Sequence, residues 1–186
     1  MNVWQSLTDI PGNEASVVTI GNFDGMHNGH KKVIATCVDR AHKLGVDAIA
    51  ITFDPHPIQV HRPEAGLQLI SPLRDRLDAM AAAGLDATLV AHYDKSVYSL
   101  EPDEFVYEFL VERCGAREVV VGEDFRFGRG NSGTIDTLRA LGRQYGFDVL
   151  TVTDIEAPEG RRWSSSWVRE LLAAGDVSGA ARVLGH

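Results

Sequence analysis

Short apolar runs alternate along this chain with stretches in which apolar residues recur every third or fourth position. Ser16 to Ile20, Val46 to Phe53, Ala87 to Ala91, Glu118 to Val121 and Phe147 to Val152 read as strands, rich in Val, Ile and Ala and flanked by glycine or other turn residues. Lys31 to Leu44, Ser71 to Ala83, Pro102 to Cys114 and Gly133 to Tyr145 carry helical spacing between them, as Val33, Ile34, Val38 and Ala41 show in the first. A last helical pair is predicted over Val168 to Ala174 and Val177 to Leu184. Near-continuous apolar strands joined by crossover helices build a parallel sheet that is covered on both faces, with right-handed connections. The predicted fold class is therefore α/β: a Rossmann-like, doubly wound parallel five-stranded sheet, in a single domain over 1–186. His56 to Ser71, which contains Pro and Gly, is predicted to be one long loop, and loops of that length are often functional.

Such sheets bind ligands beyond the carboxyl ends of their strands, where strand order reverses, and the first βα turn usually lies there. That turn is Gly21-Asn22-Phe23-Asp24-Gly25-Met26-His27-Asn28-Gly29-His30. Its histidines fall at a helix start, where unpaired backbone N–H groups and the positive end of the helix dipole attract anions. Three residues apart, the imidazoles share one face, and Gly29 has no side chain to hold a ligand off the backbone. The turn reads as a phosphate site. A metal held by Asp24, His27 and His30 would need further ligands, and neither a cluster nor a Cys-x-x-Cys pair supplies them, so no metal is assigned to these residues.

Composition narrows the partners. At 186 residues and 44% hydrophobic, the chain can bury one good core. A formal net charge of −8 excludes a basic nucleic-acid surface, so any anionic ligand requires a local cationic pocket. There is no run of about 20 apolar residues and no signal-peptide pattern at Met1-Asn2-Val3-Trp4-Gln5, which predicts a cytoplasmic protein without membrane partners. Cys37 and Cys114 sit beside apolar helical residues and are expected to be reduced packing residues.

Three further segments carry candidate chemistry. In Thr52-Phe53-Asp54-Pro55-His56-Pro57 the prolines stiffen the turn after the second strand. Val119-Val120-Val121-Gly122-Glu123-Asp124-Phe125-Arg126-Phe127-Gly128 leaves its strand with an aromatic face for a planar ring and a polar tip, although both phenylalanines could equally be core. Asp124 beside phosphates would need compensation by a metal or by Arg126. Gly128 to Gly133 fits G-x-G-x-x-G with Asp148 about twenty residues on, but the first glycine lies too far beyond the strand and Asp148 opens the next run instead of closing it. These glycines are read as a flexible loop before a helix at Thr134. In Arg161-Arg162-Trp163-Ser164-Ser165-Ser166-Trp167-Val168-Arg169, hydroxyls at a helix start with an arginine reaching back suit a polyphosphate tail, while capping alone explains one serine.

The histidine turn closely resembles the HxGH signature of the nucleotidyltransferase superfamily and, more narrowly, the form found in bacterial FAD synthetases. Thr-Phe-x-Pro-His-Pro, Val-Gly-x-Asp/Asn-Phe-x-Phe-Gly (aspartate here, at 124) and the serine-arginine element match that family's other motifs in order, over nearly the whole chain. Ser166 stands where the family has threonine, Trp163 where it has an aliphatic residue, and His61 where a more apolar flavin neighbour is expected. The resemblance implies an FMN adenylyltransferase that converts FMN and ATP to FAD and pyrophosphate by in-line attack without a covalent intermediate. It implies that His27 and His30 hold the triphosphate, with Gly21, Asn22, Phe23, Asp24, Gly25 and Gly29 beside them. Arg162, Ser164, Ser165, Ser166 and Arg169 would hold the departing pyrophosphate. Pro55, His56, Pro57, Gly122, Asp124, Phe125 and Phe127 would shape the flavin side, and Mg2+ would ride on the phosphates with few or no protein ligands. Bacterial members usually continue past the equivalent of Leu184-Gly185-His186 into a riboflavin kinase module, so that activity is expected to come from elsewhere. Two alternatives are a nucleotidyltransferase for another phosphorylated acceptor, such as a cytidylyltransferase acting on a polyol phosphate, and a non-catalytic flavin- or nucleotide-binding module.

Overall fold

A computed structural model of the chain describes residues 1–12, 14–153 and 160–185, so His186 of the chain end lies outside the described residues. Six strands, β1 (Asn2–Trp4), β2 (Ser16–Ile20), β3 (Asp47–Asp54), β4 (Ala87–His92), β5 (Ala116–Gly122) and β6 (Asp148–Val152), form one sheet in the order β1-β4-β3-β2-β5-β6. Every neighbouring pair is parallel. The chain winds outward from β2 through β3 to β4, then crosses back to β5 on the other side of β2. Strand order therefore reverses between β2 and β5, and their carboxyl ends border the crevice where such sheets bind ligands.

Alternation along each strand divides the core between two faces. Val17, Ala48, Ala50 and Val120 point to α1 (Asn28–Leu44) and α3 (Leu73–Ala82), where Ile34, Cys37, Ala41 and Met80 bury against them. Val18, Ile49, Ile51, Val119 and Val121 face the other way, onto Phe105, Phe109, Leu110 and Leu138. Those come from α5 (Pro102–Phe105), the π-helical Val106–Arg113 segment and α6 (Ile135–Tyr145). A smaller cluster of Trp163, Trp167, Val168, Ala180 and Val183 joins α7 (Ser165–Ala173) to α8 (Val177–Leu184). Cys37 and Cys114 are free and buried, and burial pushes both thiols up to about 12, so they serve as packing residues.

The α/β doubly wound architecture matches the sequence reading, with three corrections. The sheet has six strands, because Asn2–Trp4 pairs with β4 at the edge. Three residues are too few for a periodic signal, and the tertiary partner creates the strand. His56 to Ser71 is not one loop: it holds α2 (Pro57–His61) and a 3-10 turn at Pro63–Ala65, each opened by a proline with φ preset for helix. Pro102 to Cys114 is not a uniform α-helix, since the Cys114 N–H reaches back five residues to the Phe109 carbonyl at 3.2 Å. A further turn, α4 (Lys95–Tyr98), follows β4, capped by Asp94. Thr134 does cap α6, accepting from the Thr137 N–H, and a 3-10 turn at Arg129–Asn131 precedes it. No described helix is long and apolar enough to cross a membrane.

Candidate active site

The histidine turn leaves the sheet at Gly21, whose N–H donates to the Ile51 carbonyl at 3.0 Å. It is tightly wound: Phe23 and Met26 adopt φ of 50° and 43°, a left-handed conformation that non-glycine residues rarely hold unless their surroundings impose it. Burial of the Phe23 ring beneath the turn supplies that constraint. At Gly25, φ is 79° and a Cβ would lie 2.9 Å from Ile70, so glycine is required twice over. Asp24, 1% exposed, accepts from the N–H groups of Ile70 and Ser71, both at 3.0 Å, and from the Arg169 guanidinium. Its own carbonyl accepts from Ser165 Oγ at 2.8 Å.

His27 is the N-cap of α1, which begins three residues earlier than its apolar periodicity suggests. Its Nδ1 accepts from the His30 N–H at 3.4 Å, which leaves Nε2 as the protonated nitrogen and a donor. The two imidazoles stack with centroids 3.7 Å apart, and the missing Cβ of Gly29 gives the His27 ring room, since one would sit 3.1 Å from it. Burial, reinforced by the positive field of Arg162 and opposed by Asp24, lowers the pKa of His27 to about 4. Burial, with His27 and Arg162 adding to it, holds His30 well below its ordinary value. Both are neutral at pH 7. Nδ1 of His30 is buried with no hydrogen-bond partner among the described residues.

These groups border a cavity of about 330 Å3 that Gly122, Asp124, Arg162, Trp163 and Ser164 also line. Asp124 pairs with Arg162, not with Arg126, at 2.7 Å. Ser164 caps α7, accepting from the Trp167 N–H at 3.2 Å. A second cavity of about 310 Å3 opens beside the first, with Phe53, Pro57, Ile58, Tyr93, Tyr98, Phe125 and Phe127 in its walls. The two share Ile20, Gly21, Phe125 and Arg126, so they meet over the carboxyl ends of β2 and β5. Phe125 and Phe127 stack with centroids 5.5 Å apart; Phe127 is buried against Phe105 and serves both core and cavity.

The structure gathers His27, His30, Gly21, Phe23, Gly29, Gly122, Asp124, Phe125, Arg162 and Ser164 around the first cavity, and Gly21, Asn22, Pro57, Phe125 and Phe127 around the second. Asp24, Gly25, Pro55, His56, Ser165, Ser166 and Arg169 line neither. Ser165 and Arg169 each bond to Asp24 instead: the Arg169 guanidinium neutralises the buried carboxylate, and Ser165 Oγ donates to the main-chain carbonyl. Arg169 also donates from Nε to the Gln68 carbonyl at 2.8 Å. His56 is turned inward as the cap of α2: its Nδ1 accepts from Ile58 N–H at 3.2 Å, and burial holds its pKa below the ordinary value. The Asp54–Pro55 bond is cis.

Sequence reasoning missed Tyr93 and Tyr98, although the rule that sites lie beyond strand ends points to Tyr93, one residue after β4. His61 does not line that cavity, but its Nε2 lies 2.9 Å from the hydroxyl of Tyr93, which does. It also missed Arg76, which is fully buried in α3. Arg76 Nη1 donates to the Asn22 carbonyl at 2.9 Å and approaches that of Phe53 at 3.4 Å, while Nη2 lies 3.4 Å from Asp54 Oδ1. One guanidinium thereby ties the end of β3 to the histidine turn. In sequence it looks like any charged residue of an amphipathic helix.

The FAD synthetase family matches residues 9–167. A Geobacillus thermodenitrificans protein is 38% identical over 181 residues, 97% of this chain and 93% of its own length; its name assigns riboflavin kinase/FMN adenylyltransferase activity provisionally. The bifunctional riboflavin kinase/FMN adenylyltransferase of Escherichia coli K12 is 33% identical over 173 residues, 93% of this chain and 55% of that protein. The chain thus spans about half of that bifunctional relative. Among solved structures, one titled macrolide-efflux protein from Streptococcus pneumoniae superimposes with a TM-score of 0.85 at 25% identity, over 99% of this chain and 61% of that one. Pantothenate synthetase from Thermus thermophilus follows at 0.63 and 15% identity, over 100% of this chain and 81% of that one, and shares the fold. With a family match over most of its length and four motifs converging on one pair of cavities, this chain belongs to the FAD synthetase family.

Proposed function

We propose that this chain is an FMN adenylyltransferase, transferring AMP from ATP to FMN to release FAD and pyrophosphate. The observation that carries the reading is the junction of two unlike cavities: a polar one at a helix N-terminus, suited to a triphosphate, and an aromatic one, suited to a planar ring. A phosphate oxygen of FMN forms the new bond to the α-phosphorus of ATP. The bond from that phosphorus to the β-bridging oxygen breaks, and pyrophosphate leaves with the electron pair. The phosphate oxygen of FMN is itself the nucleophile, so the transfer needs no covalent protein intermediate.

Catalysis in this reading is positioning and charge stabilisation. Neutral His27 donates from Nε2–H to the triphosphate. Arg162 and Ser164 hold the departing pyrophosphate. Asp24, Ser165 and Arg169 fix the turn that carries the histidines, one step behind the phosphates. Mg2+ on the phosphates would need few protein oxygens, and the donor set fits that: among the described residues no three His, Cys, Asp or Glu converge, and Asp124 is the carboxylate lining the triphosphate cavity. A Mg2+ ion carried on the phosphates beside Asp124 would supply neutralisation of the charge on their oxygens.

Purified protein incubated with ATP, Mg2+ and FMN should form FAD and pyrophosphate in equal amounts by chromatography. Flavin bound without product would identify a binding module, and turnover with a polyol phosphate alone would identify a different acceptor.

A further inference from the structure

Two anionic substrates must meet over a chain whose formal net charge is −8. Most of the basic side chains nearby are already committed. His27 and His30 are uncharged, Arg162 is paired with Asp124, and Arg169 is paired with Asp24. Lys31, on the first turn of α1, donates away from the site to the Leu184 carbonyl at 2.8 Å. Arg126 differs from all of these. It lines both cavities and forms no ion pair or hydrogen bond with any described residue.

Its placement is fixed by its neighbours. The Phe125 N–H closes a turn onto the Gly122 carbonyl at 3.2 Å, and Phe127 exchanges two backbone hydrogen bonds with Gly133, at 2.8 and 3.3 Å. The backbone is thus pinned on either side of residue 126. An arginine stays charged at any working pH, and its planar fork matches two phosphate oxygens at once.

We propose that Arg126 is a catalytic residue that binds the phosphate of the acceptor at the junction of the two cavities and brings it against the α-phosphoryl group. This rests on the FMN adenylyltransferase reading. The uncompensated charge at the junction is what lets one anion approach another, and the fork orients the attacking oxygen.

Riboflavin, which is FMN without the phosphate, isolates this contact. Flavin affinity is measured by fluorescence quenching, and FAD formation by steady-state kinetics, for the wild type, Arg126→Gln and Arg126→Lys. Arg126 is exposed and bonds to none of the described residues, so both variants should keep the wild-type circular dichroism and melting temperature. For Arg126→Gln, FMN affinity is expected to fall about tenfold or more while riboflavin affinity stays within about twofold. Its kcat should fall about 10²-fold. Arg126→Lys, which keeps the charge and loses the fork, should fall between the two. Equal weakening of FMN and riboflavin, a preference for FMN that survives in Arg126→Gln, or a wild type that binds the two flavins alike would each overturn the assignment. A wild type that prefers FMN through Arg126 yet makes no FAD would instead overturn the adenylyltransferase reading and leave the phosphate contact standing.

Discussion

Two stacked, neutral imidazoles define this site at the scale of single residues. Their neutrality follows from burial and from Arg162, so in the proposed reaction they act as fixed hydrogen-bond donors and not as charges. His27→Ala and His30→Ala should each reduce FAD turnover by about 10²- to 10³-fold, the usual cost of one preorganised donor. His27→Ala also removes the N-cap of α1, worth about 1 kcal/mol, whereas His27→Asn restores a capping oxygen without the Nε2 donor. Low turnover in His27→Asn at wild-type melting temperature would separate catalysis from folding. The same neutrality fixes the pH dependence of stability. In the unfolded chain these histidines take up a proton near 6.5, and in the fold His27 does so only near 4. The unfolded state therefore binds more protons in that window, and stability is full above about pH 6.5 and lost as pH falls toward 4. Urea unfolding at pH 7, 6 and 5 should show a decline of up to roughly 1.4 kcal/mol per pH unit for each histidine. The decline should be shallower in His27→Asn.

Among the elements, what matters is how loops from different strands are held in register. Asp24 fastens the turn after β2 to residues 70–71 and to α7, and Arg76 fastens it to the end of β3. Asp24→Asn leaves Arg169, itself largely buried, without its counter-charge; removing one partner of a buried pair costs about 3 kcal/mol or more. The denaturation midpoint should drop accordingly with an unchanged m-value. An unchanged midpoint would show that the Asp24 interactions add nothing to the fold. Sequence could find Asp24 but not its purpose, because its four partners lie 46 to 145 residues away. The family resemblance put the aspartate beside the phosphates, and the fold shows in addition that it anchors the turn. Phe127 was legible as either core or cavity wall, and it proves to be both.

The whole molecule is a switch-point sheet closed on one side by the C-terminal helices. α8 returns to the start of α1, where Lys31 Nζ and Asn28 Nδ2 donate to the carbonyls of Leu184 and Arg182, and Val183 buries in the tryptophan cluster. Deleting residues 176–186 should expose Trp163 and Trp167, shift their fluorescence to the red and lower the melting temperature by roughly 5 °C, given the loss of one or two buried apolar side chains. ATP affinity should weaken in parallel, because the helix that presents His27 and His30 loses its support. Retained affinity in a truncated protein that still folds would show that the C-terminal helices play no part in shaping the proposed triphosphate site.

Apolar periodicity determined the parallel α/β core, because strands buried on both faces and helices with one buried stripe leave their pattern in the local order of residues. Glycine spacing and the paired histidines marked the turn now proposed to hold phosphate for a similar reason: chain conformation and helix-end chemistry are local. Tertiary structure alone decided which charges remain available. The pairing of Asp24 with Arg169 and of Asp124 with Arg162, the burial of Arg76, and the isolation of Arg126 all depend on residues far apart in sequence, whose mutual attraction is set by distance and burial after folding.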